Sequence, residues 1–427
     1  MLRVSGHSPI SANGRCGSMY ATEFTEARIE DSSNLLVAPS ALRDHDVVRE
    51  FFGSTITPEE LSSGSPGLAR KTVYLCGDVS EVSARQLEQA ARVFVVRELS
   101  GGYDEDAAGA WPVIGLGRVP VRVHGVGVFY RRFFELDADH FGRISTEHAF
   151  QSLTEGTKPG TAHRSGIYLT PVTQAGDELH FRLLRCSTNL SGPTEGFRPT
   201  DTQIVDALNR EAPSVFLDQA PLNHVLAQIY HNTLATAERK QSKAKISSHA
   251  DKTKDMPVNG VMAFCTFYDE LDKLQPLAED TFDYGVKGVS GLTRLHFRLK
   301  EPHGERDGGA LPSQFAVTLY PGSVFFMPLS TNRLYTHEIR PAALDAELLP
   351  TRLGYVVRCS NAEAVHKDGR TFLKLAGGSA KLEPPTEAGT DELRRLYAEE
   401  NRTSSFIDYG DEFLFSMNAG DYDAPRV

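Results

Sequence analysis

The rhythm of apolar and polar positions changes along this chain, and the changes divide it. The first seventy residues are mostly polar, with Ser and Gly frequent and SSGSPG at 62–67 as a linker, so region 1–70 is expected to be poorly ordered. KTVYLCGDVS (71–80) predicts a strand and a cap, and EVSARQLEQAARVFVVREL (81–99) carries apolar residues at helical spacing until Gly101 and Gly102 stop it. Residues 128–153 predict helix, acidic loop, helix, which makes 71–155 an α-rich region. From about 160 the period shortens. SGIYLTPV, ELHFRLLRCS, VNGVMAFCTFY, GLTRLHFRL, QFAVTLY, GSVFFMPL and GYVVRCS are short, β-branched or aromatic, and separated by Gly, Pro or Asp. That texture predicts an antiparallel sandwich or barrel over 160–375. A linker, one short helix and a polar tail complete 376–427, and no internal repeat is visible.

Composition narrows the class. A length of 427 residues suggests two compact units, and 40% hydrophobic with 24% charged residues is a globular balance. No run approaches the ~20 apolar residues of a membrane span. The start lacks the apolar core of a secretion signal, so an intracellular place, cytoplasm or nucleus, is expected. The five cysteines are scattered without a C-x-x-C pair, which argues against a disulfide framework or a zinc site. A net charge of −11 argues against coating nucleic acid by bulk electrostatics, though not against a local basic groove.

Candidate chemistry centres on SSHADKTKD (247–255). His249 and Asp251 are two residues apart, so on an extended segment both side chains point to one face. An imidazole and a carboxylate so placed are two thirds of the facial triad of non-haem iron(II) oxygenases. A second histidine, His337, ends the strand–loop–strand pattern GSVFFMPLSTNRLYTHEI (322–339). On the strand TRLGYVVR (351–358), Arg352, Gly354, Val356 and Arg358 share one face. Two arginines directed into a barrel call for an anion, and a dicarboxylate co-substrate would supply it. For Arg358 a salt bridge to Asp251 or a nearby Glu stands as the alternative. For Tyr230 the alternative is core packing, and His224, His231 and His296 are expected to be structural or exposed.

QIY (228–230), HAD (249–251), GSVFFM (322–327), RLYTH (333–337) and RLGYVVR (352–358) occur in the order seen in AlkB-like 2-oxoglutarate oxygenases, and the chain from about 222 to 359 resembles that family. The TET/JBP oxygenases are more distant relatives. The resemblance implies a double-stranded β-helix, or jelly roll, and iron(II) held by His249, Asp251 and His337. It also implies 2-oxoglutarate gripped by Arg352 with Tyr230 and Gln228 in support, and Arg358 near the metal-side carboxylate or the substrate. Dioxygen as co-substrate, ascorbate as reductant and a methylated base in DNA or RNA as substrate follow from the same resemblance. Gln228 stands where asparagine is usual, Gly354 and Val356 replace Asn and Thr, and the insertion after Asp251 is long. These departures, with the acidic balance, keep a small-molecule, amino-acid or protein hydroxylase open.

Two further patterns surround this core. RKQSKAKISSHADKTK (239–254) places Arg239, Lys240, Lys243, Lys245, Lys252 and Lys254 near the metal candidates, either as phosphate contacts or as a solvated loop. DADHFGRISTEH (137–148) resembles an EF-hand, with Asp137, Asp139, Gly142, Ile144 and Ser145 in place. Phe141 and His148 occupy the fifth and twelfth positions, so the shape is expected without calcium binding. A calcium-responsive or scaffolding protein on an inactive barrel is the non-enzymatic alternative, and the intact triad argues against it.

Overall fold

The computed structural model describes residues 25–64, 67–106, 111–154, 161–186, 190–301 and 311–427. Eight strands build the centre: β1 (His224–Tyr230), β2 (Ile246–His249), β3 (Val261–Asp269), β4 (Arg294–Leu299), β5 (Gln314–Thr318), β6 (Val324–Pro328), β7 (Tyr335–Ile339) and β8 (Thr351–Arg358). They pair as β1-β8-β3-β6 in one sheet and β2-β7-β4-β5 in the other, every pair antiparallel. Successive strands thus alternate between two facing sheets, except that β4 and β5 pair within the smaller one, which is the winding of a double-stranded β-helix. Thr161–Thr170 extends the larger sheet beside β1, and Gly127–Tyr130 extends it beside β6.

Alternation along β8 shows how the sheet sorts its residues. Leu353, Tyr355 and Val357 are fully buried on the outer face, in one cluster with Ile204, Val205 and Leu208 of helix α2 (below). Arg352, Gly354, Val356 and Arg358 take the opposite face, towards the smaller sheet, as the period of two requires. Register makes that face a set of rows: Tyr230, Arg352 and Tyr268 stand side by side, then Gln228, Gly354 and Thr266, then Leu226, Val356 and Phe264.

The helices that bear on the centre are α1 (His140–Glu147), α2 (Pro199–Glu211), α3 (Leu329–Leu334) and α4 (Glu387–Arg402). Among the described residues no helix is long and apolar enough to cross a membrane.

The amino-terminal part departs from the expected elements. Residues 81–99 do not form a helix: a short 3-10 turn, Ala84–Leu87, leads into the strand Arg92–Gly101. That strand joins a five-stranded parallel sheet with Asn34–Val37, Ser54–Ile56, Thr72–Asp78 and Val113–Ile114. Val95 packs into one hydrophobic cluster and Val96 into another, so both faces are covered. A strand buried on both faces reads as a continuous apolar run rather than an alternation, which is why periodicity misassigned it. Much of the region expected to be poorly ordered is built in: Asn34–Val37 is buried throughout, and the Asn34 amide donates to the Ser214 carbonyl at 2.6 Å. Residues 1–24 and 65–66 lie outside the described residues.

The EF-hand-like pair also changes form. Its first helix is replaced by the strand Gly127–Tyr130, because Phe129 and Tyr130 are buried against the large sheet. Helix α1 starts at His140, capped by Asp139, whose carboxylate accepts from the Gly142 N–H at 3.0 Å. His148, at the position of the calcium-closing Glu, is buried between Glu195 (3.0 Å) and Asp201 (2.7 Å).

Candidate metal centre

The strands β2 and β7 set His249 directly opposite His337, so both imidazoles leave the sheet on one face with ring centroids 4.5 Å apart. Asp251 follows just past the end of β2. Its Oδ1 lies 3.7 Å from His249 Nε2 and 3.9 Å from His337 Nε2, and these three atoms converge as possible metal ligands. Those separations are too long for hydrogen bonds and suit donors shared around one cation.

The remaining atoms of the three residues are largely committed elsewhere. His249 Nδ1 donates to the Ser247 carbonyl at 2.8 Å, which leaves the Nε2 lone pair for the centre. Asp251 Oδ2 accepts from Arg358 Nε at 3.0 Å and Nη2 at 2.6 Å. Burial opposes the charge on Asp251, but Arg358 first, then His337 and His249, outweigh it and hold the carboxyl below its ordinary range. Burial, with His249 beside it, pushes the His337 imidazole down to about 3, so the ring is neutral, as a ligand must be. Two neutral imidazoles and one carboxylate are the donor set of a facial iron(II) site, so the residues present fit that metal.

A second converging group, Glu147, His148 and Asp201, lacks this character. Both ring nitrogens of His148 are hydrogen-bonded to carboxylates. Burial opposes its charge, yet the contacts with Asp201 and Glu195 prevail and raise its pKa, so the ring is engaged by carboxylates at both nitrogens.

In front of the first group lies a cavity of about 590 Å³. Arg352 lines it, 6% exposed, with its guanidinium 4.0 Å over the Tyr230 ring and, among the described residues, no carboxylate partner. The Tyr230 hydroxyl donates to Gln228 Oε1 at 2.8 Å. A Cβ at Gly354 would stand 2.9 Å from Arg352 Nη1 and 3.2 Å from Tyr230, so glycine here lets the guanidinium lie against the sheet. Leu295, Leu319, Ile339 and Phe264 are among the apolar side chains that line the cavity.

The two arginines predicted on one face therefore differ in environment: Arg358 is the ion-pair partner of Asp251, and Arg352 is the unpaired one. The basic run is divided too. Lys243 donates to the Ala342 and Leu344 carbonyls, Lys252 to the Cys186 carbonyl, and Lys254 is buried on Asp255. Arg239, Lys240 and Lys245 remain exposed. His224 is buried with neither ring nitrogen hydrogen-bonded, and burial, reinforced by Arg358, pushes it down to about 3. Sequence reasoning passed over the contacts of Asn332 and Asn401, which hold the backbone of the segment that carries His249 and Asp251. Asn401 stands in an Asn-x-Thr match that carries no signal of this contact, and no motif marks Asn332.

No family model and no curated protein matches the sequence. Among solved structures the chain is similar to OsALKBH1, at 11% identity and a TM-score of 0.34, over 56% of this chain and 99% of that one. It is also similar to a Pseudomonas putida prolyl-4-hydroxylase, at 11% identity and a TM-score of 0.28, over 55% of this chain and 91% of that one. Likeness at these scores carries no argument, and the double-stranded β-helix stands on the strand order alone.

Proposed function

We propose that the protein is an iron(II)- and 2-oxoglutarate-dependent dioxygenase that hydroxylates a substrate C–H bond. One observation carries the reading: three convergent donors open onto a cavity whose far end holds a buried, unpaired arginine. Iron bound there supplies the activation of dioxygen that carbon hydroxylation requires. Arg352 binds the distal carboxylate of 2-oxoglutarate, with the Tyr230 ring fixing the plane of its guanidinium. Arg358 holds Asp251 ionised and in one rotamer. The apolar side chains around the cavity keep water from the reacting groups.

For the substrate, the resemblance favours a methyl group on a modified base, which would have to be flipped from its stack. A small-molecule, amino-acid or protein substrate is favoured instead by the inward turn of Lys243, Lys252 and Lys254, which leaves few cations for a phosphate backbone.

The test is an aerobic incubation with iron(II), ascorbate and 2-oxoglutarate, with methylated DNA and RNA added in turn and succinate and nucleosides measured. Succinate that disappears in His249→Ala supports the oxygenase, and a changed nucleoside supports the nucleic-acid substrate. Succinate with intact nucleosides moves the substrate to the second class. Absence of succinate that depends on His249 refutes the reading.

A further inference from the structure

The strand that carries His249 ends there, and β3 begins only at Val261. Ala250 and Asp251 thus sit past the ladder, where their peptide groups would lack partners while buried under 10% exposure. Those groups are taken up by side chains from far along the chain. The Asp251 N–H donates to Asn332 Oδ1 at 2.8 Å, and Asn332 Nδ2 donates back to the Asp251 carbonyl at 2.8 Å. A primary amide is suited to this, since it offers one acceptor and one donor in the spacing of a peptide. Asn332 is 1% exposed on α3, and the neighbouring Thr331 hydroxyl anchors that helix to the Val126 carbonyl at 2.6 Å.

The adjoining peptide is gripped from another direction. The Ala250 N–H donates to Asn401 Oδ1 at 2.6 Å, at the end of α4. One residue earlier, the buried Glu400 accepts from the Thr253 N–H at 3.2 Å and from its hydroxyl, and is itself fixed by the Tyr409 hydroxyl. Lys300 of the smaller sheet's flank donates to the Glu400 carbonyl at 2.7 Å. The same helix end, through Tyr397 and Asn401, lines a second cavity of about 360 Å³ that also reaches His249 and Asp251.

We infer that Asn332 and Asn401 are positioning residues of the metal centre, and that the carboxy-terminal helix is part of it. Each asparagine fixes one of the two consecutive peptides, 250 and 251, that set the spacing and direction of His249 and Asp251. Asp251 has to present Oδ1 to the metal while Oδ2 keeps Arg358, and a rotated backbone would lose one of the two. This inference rests on the metal-site reading above.

The test is cobalt(II) binding, by calorimetry and by the visible ligand-field spectrum, on the full chain. Asn401→Ala is expected to weaken cobalt on the order of tenfold, and Asn332→Ala up to about a hundredfold, both with an altered spectrum. Asn401→Asp keeps an acceptor for the Ala250 N–H and is expected to restore affinity and spectrum. Leu373→Ala, in the sheet of the carboxy-terminal part, serves as a variant of lowered stability away from the metal, and its cobalt affinity is expected to be unchanged. If Asn332→Ala does not fold, the Asn401 pair decides. Wild-type cobalt binding lost in His337→Ala, together with unchanged affinity and spectrum in Asn401→Ala, overturns this inference and leaves the metal site standing. Wild-type protein with no His337-dependent cobalt binding overturns both.

Discussion

Replacing Arg352 by Met separates a ligand-binding arginine from a structural one by the sign of its effect on stability. Arg352 is 6% exposed, stacks on Tyr230, and has no carboxylate partner among the described residues. Two charge-assisted hydrogen bonds to a carboxylate, at ~1.5–3 kcal/mol each, amount to about 3–6 kcal/mol. At about 1.4 kcal/mol per decade, 2-oxoglutarate affinity should fall by roughly 10²- to 10⁴-fold. The ligand-free protein should not suffer, because methionine fills a similar volume and removes a charge that is buried without compensation. Its melting temperature is expected to stay within a degree or two or to rise. The assay is calorimetry of 2-oxoglutarate on manganese(II)-loaded protein without oxygen, with melting curves at about a hundredfold excess over Kd. There the wild type should gain ~2.7 kcal/mol and the variant almost nothing. Affinity kept within about threefold, or a ligand-free variant that melts many degrees lower, would refute the reasoning and make Arg352 a packing residue.

Other expectations follow from the same geometry. Gly354→Ala puts a Cβ 2.9 Å from Arg352 Nη1, so 2-oxoglutarate should bind about tenfold more weakly with cobalt affinity unchanged, read by the same titrations. Arg358→Met leaves the buried Asp251 carboxylate alone, and denaturant unfolding should show the metal-free protein destabilised by roughly 3–5 kcal/mol, with bound metal recovering part of the loss. Acid should destabilise the metal-free protein early. His224 and His337 have folded values pushed to about 3, so between pH ~6.5 and about 3 the unfolded chain binds protons the folded chain does not, and stability falls as pH falls. Each group contributes up to ~1.4 kcal/mol per pH unit. Unfolding midpoints across pH should become shallower in His224→Phe, which keeps a ring against Tyr168 and gives up no hydrogen bond.

What could be read in advance depended on how local the cause was. The strands from β3 to β8 are legible because each is short, rich in β-branched or aromatic residues and cut off by turn residues. Their order in the two sheets is not, since pairing β1 with β8 joins residues such as His224 and Arg358 that are far apart in sequence. The amino-terminal errors have local causes as well. Arg92–Gly101 is covered on both faces at Val95 and Val96, so its apolar run lacks the alternation that marks a half-exposed strand, and the residues before it supply helix formers. Asp139 and Gly142, read as calcium-loop positions, instead form the cap of α1, and the element before it was fixed by Phe129 and Tyr130 entering the large sheet.

The candidate site divides along the same line. The spacing of His249 and Asp251 and the shared face of Arg352 and Arg358 are properties of single strands, and they are present in the structure as the sequence suggested. Which arginine meets Asp251 depends on the gap between two sheets, as does the fate of three lysines that turn back onto the protein. Asn332 and Asn401 were invisible because side-chain to backbone bonds spanning 81 and 151 residues leave no pattern in either segment. The two arginines then carry the functional weight together. Arg358 is neutralised within the chain, so its charge serves Asp251 and, on the proposed reading, the metal that Asp251 would hold. Arg352, standing in the same strand six residues earlier, is buried with no carboxylate partner among the described residues. Burying a charge without a partner is costly, and an anion brought into the cavity is the means by which this fold can offset that cost.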